Sequence, residues 1–379
     1  MGNVSTTFLR SWMSTTRIFK ESPTLTFAGS ISQRCPEQLV TEYDGLLANQ
    51  RFSWTEHHRL LRQLGEGGQG VVYLTERRGA DHFTLPVALK IFSPHSFDTE
   101  ASYDDAMGRM ARVAAMVAQI QQDNLLDVHN FVDHRRIRMM EMEWIDGYDM
   151  GQLLTNEMLN RSQECVSRRR WDYMNNVIVT AGPIQPRLKP GVAVAVLRDV
   201  LGALAALHRE DIIHRDVKPS NIMLKRTGNA KLIDIGSAAE LSEPPAQQMC
   251  TPAYAAPEVL EAGEFSPRSD LASLGYVLIE MLSGQPPFHG ITEYGPLVQA
   301  KRTLPHRLHE ILPEEVVVND LLMNFCMGLI SPDPSRRFPN AEAADLREEG
   351  AAHFLRQLTI NNLGSEYGNE IRLWLEEID

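Results

Sequence analysis

The sequence predicts an α+β chain in which a small antiparallel sheet with one main helix comes first and a larger, mostly helical part follows. Two observations predict it. Short runs rich in β-branched and apolar residues crowd between positions 60 and 144, and after Gly147 the apolar residues fall at helical spacing almost to the C-terminus. At 379 residues, 43% hydrophobic and 23% charged, the chain fits one large two-lobed domain or two ordinary ones with a sizeable core.

Residues 1–51 show little periodicity and much Ser, Thr and Gly, which predicts a mostly flexible leader. Met1 to Thr6 formally matches an N-myristoylation pattern, and the first twenty residues are basic and nearly acid-free like a transit peptide; a disordered leader accounts for both. Leu60 to Leu64 and Val71 to Leu74 read as strands around a glycine turn, and Pro86 to Phe92 as a third strand. Asp104 to Gln122 reads as an amphipathic helix, Val128 to Asp133 and Ile137 to Trp144 as two more strands. A helix over Met150 to Leu159 opens the helical part, and residues 160–190, with an Arg-rich run and a Pro-rich end, read as an insertion. Val192 to Leu207 is the most apolar stretch, but Arg198 and Asp199 interrupt it and it is shorter than a bilayer span, so a buried helix is expected and no membrane association. After residue 349 a tail mixes Leu358, Ile371, Trp374 and Leu375 with acids, as a helix packed on its own domain or docking a partner would.

The net charge of -12 argues against binding a nucleic-acid backbone, which needs clustered Lys and Arg. Four cysteines without paired spacing fit neither a zinc site nor a disulfide framework and point to a reducing, cytoplasmic setting.

The chemistry concentrates in a few segments. Gly65-Glu66-Gly67-Gly68-Gln69-Gly70-Val71-Val72 places glycines between two strands, where the backbone can approach phosphates and offer N–H groups to them; a plain turn is the bland alternative. Twenty residues after Gly70, Lys90 ends a run whose alternation puts Ala88 and Lys90 on one face of a strand. His214-Arg215-Asp216-Val217-Lys218-Pro219-Ser220-Asn221 is followed by Asp234-Ile235-Gly236 and then by Ala256-Pro257-Glu258.

In this order these segments resemble the eukaryotic-type serine/threonine protein kinase family, and the soluble kinases of that type in bacteria. The resemblance covers about Leu60 to Ala344 and implies a kinase domain over 52–348, with an N-lobe of about 52–143 and a C-lobe of about 144–348, and a tail over 349–379. It implies ATP and Mg2+ as cofactors and protein Ser or Thr hydroxyls as substrates. Asp216 would orient the substrate hydroxyl and accept its proton, Lys218 and Lys90 would meet the phosphates, and Asn221 and Asp234 would hold magnesium. Gly65, Gly67, Gly70, Val72 and Ala88 would line the nucleotide. Met142 would be the gatekeeper, with Glu143 and Ile145 pairing adenine through the backbone. Asp149 would contact the ribose or cap a helix. Lys218 and Thr251 match the Ser/Thr branch rather than the tyrosine branch. His214, Arg215, Asp270 and the pair Glu258–Arg337 would be structural. Arg215 commonly receives an activation-loop phosphate, for which Ser242 is the candidate; a loop needing no switch is the alternative.

One departure matters. The family pairs its strand lysine with a helix glutamate, and here Val113 stands at that position, with Glu100, Asp104 and Asp105 two turns or more away. This raises the alternative of a nucleotide-binding scaffold without phosphotransfer. A small-molecule kinase is disfavoured by Thr251 and Ala256-Pro257-Glu258. Substrate sequence and oligomeric state are not written in these residues.

Overall fold

The computed structural model describes residues 25–27, 37–49, 51–52, 58–243, 248–360 and 366–378. A short strand β1 (Leu25–Phe27) and a helix α1 (Glu37–Asn49) precede a six-stranded antiparallel sheet. Its spatial order is β2 (Arg51–Phe52), β3 (His58–Gly67), β4 (Gly70–Arg78), β5 (Thr84–Phe92), β7 (Ile137–Glu143) and β6 (Val128–His134). The expectation of a flexible leader to residue 51 fails over α1, whose Leu39, Tyr43 and Leu46 recur at helical spacing and are buried in the core. It fails also over β1, which is a paired strand, whereas the myristoylation pattern and the first twenty residues lie outside the described residues.

The β3–β4 hairpin closes with Gly67 opposite Gly70. Gly70 has φ 142°, and a Cβ there would sit 2.0 Å from the Ile91 carbonyl oxygen, so the turn can lie against β5 only with glycine. Between β5 and β6 runs α2 (Glu100–Val117). It starts before the expected Asp104 because Thr99 and Ser102 form a capping box, and it buries Tyr103, Met107, Met110, Val113, Ala114 and Val117 against the sheet. Tyr103 ties helix to sheet, donating to Phe92 O at 3.3 Å and accepting from Arg138 N at 2.9 Å.

The helical part begins with β8 (Gly147–Asp149) and α3 (Met150–Leu153), then α4 (Asn156–Cys165) and α5 (Arg168–Val177). The single helix expected over Met150 to Leu159 is therefore two, because the Thr155 side chain caps a new N-terminus. A hairpin of β9 (Val179–Thr180) and β10 (Arg187–Leu188) leads to α6 (Pro190–Arg209), which is buried from Val192 to Val194 and again through Leu204 to Leu207. This is the one helix among the described residues long and apolar enough to cross a membrane by composition, and it lies mostly inside the fold. Next come β11 (Ile212–Ile213), β12 (Ile222–Lys225), β13 (Ala230–Leu232), β14 (Ala239–Glu240) and β15 (Gln248–Cys250), the last pairing with β1. The chain then forms α7 (Pro257–Ala262), α8 (Pro267–Ser283), α9 (Tyr294–Ile311), α10 (Glu314–Val317), α11 (Asp320–Ile330), α12 (Ala341–Leu346), α13 (Ala351–Ile360) and α14 (Tyr367–Glu377). Helix α8 is buried from Ser269 to Ser283 and forms the axis of this half.

The segment read as an insertion and the C-terminal helix pack on each other. Trp374, 1% exposed, donates Nε1–H to Ser162 Oγ of α4 at 2.9 Å. Arg170 of α5 pairs with Glu377 at 2.8 Å and Glu370 at 3.3 Å, and Tyr173 donates to Glu370 at 2.7 Å. Truncating Trp374 to alanine leaves a large cavity under α14 and is expected to cost about 3–5 kcal/mol, measured by urea unfolding. A loss below about 1 kcal/mol would mean that α14 contributes little to the fold.

Candidate active site

The loop between β11 and β12 carries most of the polar cluster, and α8 holds it. Buried Asp270 accepts hydrogen bonds at 2.9 Å from His214 N, Arg215 N and His208 Nε2. Burial alone would raise its carboxyl, but the His208 hydrogen bond, the nearby histidine charges and the loop amide hold it below the usual range. Arg215 sits at φ 71°, a left-handed conformation costly for a non-glycine residue, which the Asp270 hydrogen bonds on either side of its peptide hold in place.

That bend sets Asp216 between three partners. Its Oδ1 accepts from Thr251 Oγ1 at 2.6 Å and from Thr251 N at 3.1 Å, and its Oδ2 lies 3.0 Å from Lys218 Nζ. Asn221 Nδ2 donates to the Asp216 carbonyl at 2.7 Å, so the amide oxygen of Asn221 is the end left for other ligands. His214 is buried, with Nε2 3.1 Å from Ile233 O. Thr251, 3% exposed, is thus a member of this cluster, whereas Ser242 is exposed in the turn after β14. Arg215 stacks on the Phe265 ring at 4.0 Å, and burial lowers its guanidinium to about 10.

Facing this loop, β5 presents Ala88 and Lys90, opposite Met142 and Met140 of β7 in register. Lys90 Nζ lies 2.5 Å from Asp234 Oδ1 and donates to Gln69 Oε1 at 2.8 Å. Asp234, at φ 60° and ψ 77°, also accepts from Gly236 N at 3.0 Å. Burial opposes its charge, yet the Lys90 ammonium and these hydrogen bonds bring its carboxyl down to about 2. The acids of α2 do not slide in to replace the missing glutamate. Glu100 and Asp104 pair with Arg136, Asp104 also with Arg138, and Asp105 with Arg109, while Val113 is 3% exposed among apolar side chains.

Between the two halves lies a cleft of about 480 Å³. Val72, Ala88, Met142, Ile145, Met223 and Ile233 give it apolar walls, and Lys90, Asn221 and Asp234 are among the polar groups that line it. Asp149 lines it while capping α3 through a hydrogen bond from Gln152 N at 3.0 Å. Beneath the glycine turn a further space of about 50 Å³ is bordered by Gly65, Gly67, Gly70, Lys90, Asp216, Lys218 and Asp234, sharing Gly65, Lys90 and Asp234 with the cleft. Glu143 serves the frame: its side chain accepts from Asp127 N at 2.7 Å and pairs with buried Lys231. Glu258 and Arg337 form a forked pair at 2.6 and 2.8 Å.

Asn221 and Asp234 offer one amide and one carboxylate oxygen to the same space, a hard, oxygen-only set of two protein ligands that fits magnesium, which keeps waters and phosphate oxygens for its other positions. Lys231 and Gln69 escape the sequence reading. Lys231 answers a carboxylate on another strand, and Gln69 lies inside a glycine run whose glycines draw the attention.

The protein kinase domain model matches residues 58–346. Similar proteins include the serine/threonine-protein kinase PrkC of Bacillus subtilis, 26% identical over 292 residues, which are 75% of this chain and 39% of PrkC. PknD of Mycobacterium tuberculosis is 32% identical over 235 residues, 61% of this chain and 30% of PknD. Serine/threonine-protein kinase pkn2 of Myxococcus xanthus is 30% identical over 314 residues, 80% of this chain and 32% of pkn2. The chain thus spans less than half the length of each of these relatives. With a matched region covering most of the chain and the geometry above, the chain belongs to the protein kinase domain family.

Proposed function

We propose that this chain is a serine/threonine protein kinase that moves the γ-phosphate of ATP to a protein hydroxyl. The observation that carries the reading is the Asp216–Lys218–Thr251 cluster at the end of a nucleotide-sized cleft that also holds Lys90 and Asp234. Phosphoryl transfer asks a protein mainly for positioning and charge neutralisation. The adenine would lie against Val72, Ala88 and Met223 along the Met142–Ile145 edge, with the ribose toward Asp149, all residues that line the cleft. Asp216 orients the attacking hydroxyl and takes its proton, while Lys218 meets charge on the transferring group. Lys90 holds phosphate oxygens from the opposite wall. Asn221 and Asp234 would hold magnesium, which when bound neutralises phosphate charge. A cytoplasmic site of action goes with this reading.

Purified chain and an Asp234→Ala variant, each with radiolabelled ATP, magnesium and generic protein substrates, test it by phosphoamino-acid analysis. Phosphoserine or phosphothreonine made by the unmutated chain alone, and lost on chelation, is the expected result. Nucleotide binding without transfer would sink the enzyme reading and leave a scaffold; labelling of a metabolite but of no protein would point to a small-molecule kinase.

A further inference from the structure

Lys90 Nζ lies against Asp234, the residue assigned to magnesium, and a buried lysine with a single carboxylate beside it needs a second partner to fix where its remaining N–H groups point. The helix that supplies this partner in the resembling family has Val113 instead, and the acids of α2 are engaged with Arg109, Arg136 and Arg138. Among the described residues, Lys90 Nζ makes its second hydrogen bond to Gln69 Oε1, at 2.8 Å. An ammonium has three N–H donors, so Gln69 and Asp234 occupy two and leave one for a phosphate oxygen.

Gln69 is itself held at several points. Its Nε2 donates to Ser237 Oγ at 3.0 Å, which fixes the amide orientation, since the reverse flip would turn an NH2 toward the ammonium. The backbone carbonyl of Gln69 accepts from Ser93 N at 2.9 Å, and that of Gly68 accepts from Ser96 Oγ at 2.9 Å, so the tip of the glycine turn is tied to the segment after β5. The room for this contact exists because residue 236 is glycine: a Cβ there would come within 2.0 Å of Gln69 Oε1.

We infer that Gln69 is the positioning residue for Lys90 in phosphoryl transfer, doing from the glycine-rich turn what a carboxylate on α2 would otherwise do. The inference rests on the kinase reading of the site. Two consequences follow. Because the amide is neutral, it positions the Lys90 ammonium without adding a second carboxylate beside it. Because the acceptor travels with the turn, Lys90 is set when the turn closes over the cleft, whatever the position of α2.

The test compares Gln69→Ala, Gln69→Glu and Ser237→Ala with the unmutated chain, reading kcat and KM for ATP. A second readout is the rate at which an acyl-phosphate derivative of ATP acylates Lys90, followed by mass spectrometry. Gln69→Ala is expected to lower kcat by roughly 10- to 100-fold with KM for ATP shifted less than about threefold, the pattern of a misplaced group rather than a lost binding contact. Gln69→Glu, which keeps an acceptor at the same reach, recovers most of that loss, and Ser237→Ala, which removes only the brace, loses less than Gln69→Ala. Lys90 acylation slows in the same order. Unchanged kcat in Gln69→Ala, or a Gln69→Glu no better than the alanine variant, overturns the inference. A Gln69→Ala faster than the unmutated chain also overturns it, showing the side chain to be a plug in the phosphate space. If the unmutated chain transfers no phosphate, the kinase reading fails while the order of Lys90 acylation rates still decides what Gln69 does.

Discussion

Asp216→Asn is expected to lower kcat by about 10³-fold, the range spanned by loss of a positioned general base, while ATP still raises the melting temperature. Both carboxylate oxygens of Asp216 are engaged, Oδ1 by the Thr251 hydroxyl and amide and Oδ2 by Lys218 and Asn221. An asparagine keeps one oxygen and turns an NH2 toward the donors on the other side, so either Thr251 or buried Lys218 loses its acceptor. The variant also has no basic oxygen to take the substrate proton. The nucleotide cleft does not include Asp216, so binding there persists. Steady-state kinetics at saturating ATP, beside thermal melting with and without ATP, checks both halves. A kcat within tenfold of the unmutated chain would remove Asp216 from the chemistry, and loss of the ATP-dependent melting shift would show that the substitution had damaged the cleft instead.

How much of this arrangement was readable depended on whether its causes were local. Asp216, Lys218 and Asn221 sit within six consecutive residues, and their types and spacing announce a loop built for charge. The strand alternation that put Ala88 and Lys90 on one face needed only the period of two, and both line the cleft. Helix starts were less legible. The capping box at Thr99 uses serine at its third position rather than Glu or Gln, and the Thr155 cap hides inside a run that looks continuously helical. Helix α1 carries Leu39, Tyr43 and Leu46 at helical spacing, but polar flanks made the stretch read as leader. What could not be read was nonlocal. Ser162 and Trp374 are 212 residues apart in sequence, so neither the insertion nor the tail explains itself until the two are seen to cover each other. The partner of Lys90 belongs to the same class: the absence of a helix acid was legible, whereas its replacement by an amide on the glycine turn depends on how the hairpin folds back over β5.

Arg337→Ala is expected to be the most destabilising single change at the polar sites, costing about 3–5 kcal/mol and lowering the melting temperature by on the order of 10 °C. The guanidinium is fully buried and forks onto Glu258, while its Nε donates to Ser331 O at 2.7 Å and Nη1 to Arg268 O at 2.9 Å. Alanine leaves a mostly buried carboxylate and two carbonyls without this donor, and it is the stranded partners, more than the lost attraction, that make the change costly. Lysine at 337 recovers only part, because a point charge cannot reproduce the planar fork. Since Glu258 follows Ala256-Pro257 at the end of the segment that begins with Thr251, phosphotransfer should also fall at temperatures where the variant is still folded. Calorimetry decides the point together with the double variant Glu258→Gln/Arg337→Met. If the cost comes from a stranded charge, the double variant melts above Arg337→Ala; if it melts no higher, the packing of the guanidinium rather than its pairing holds this end of α8.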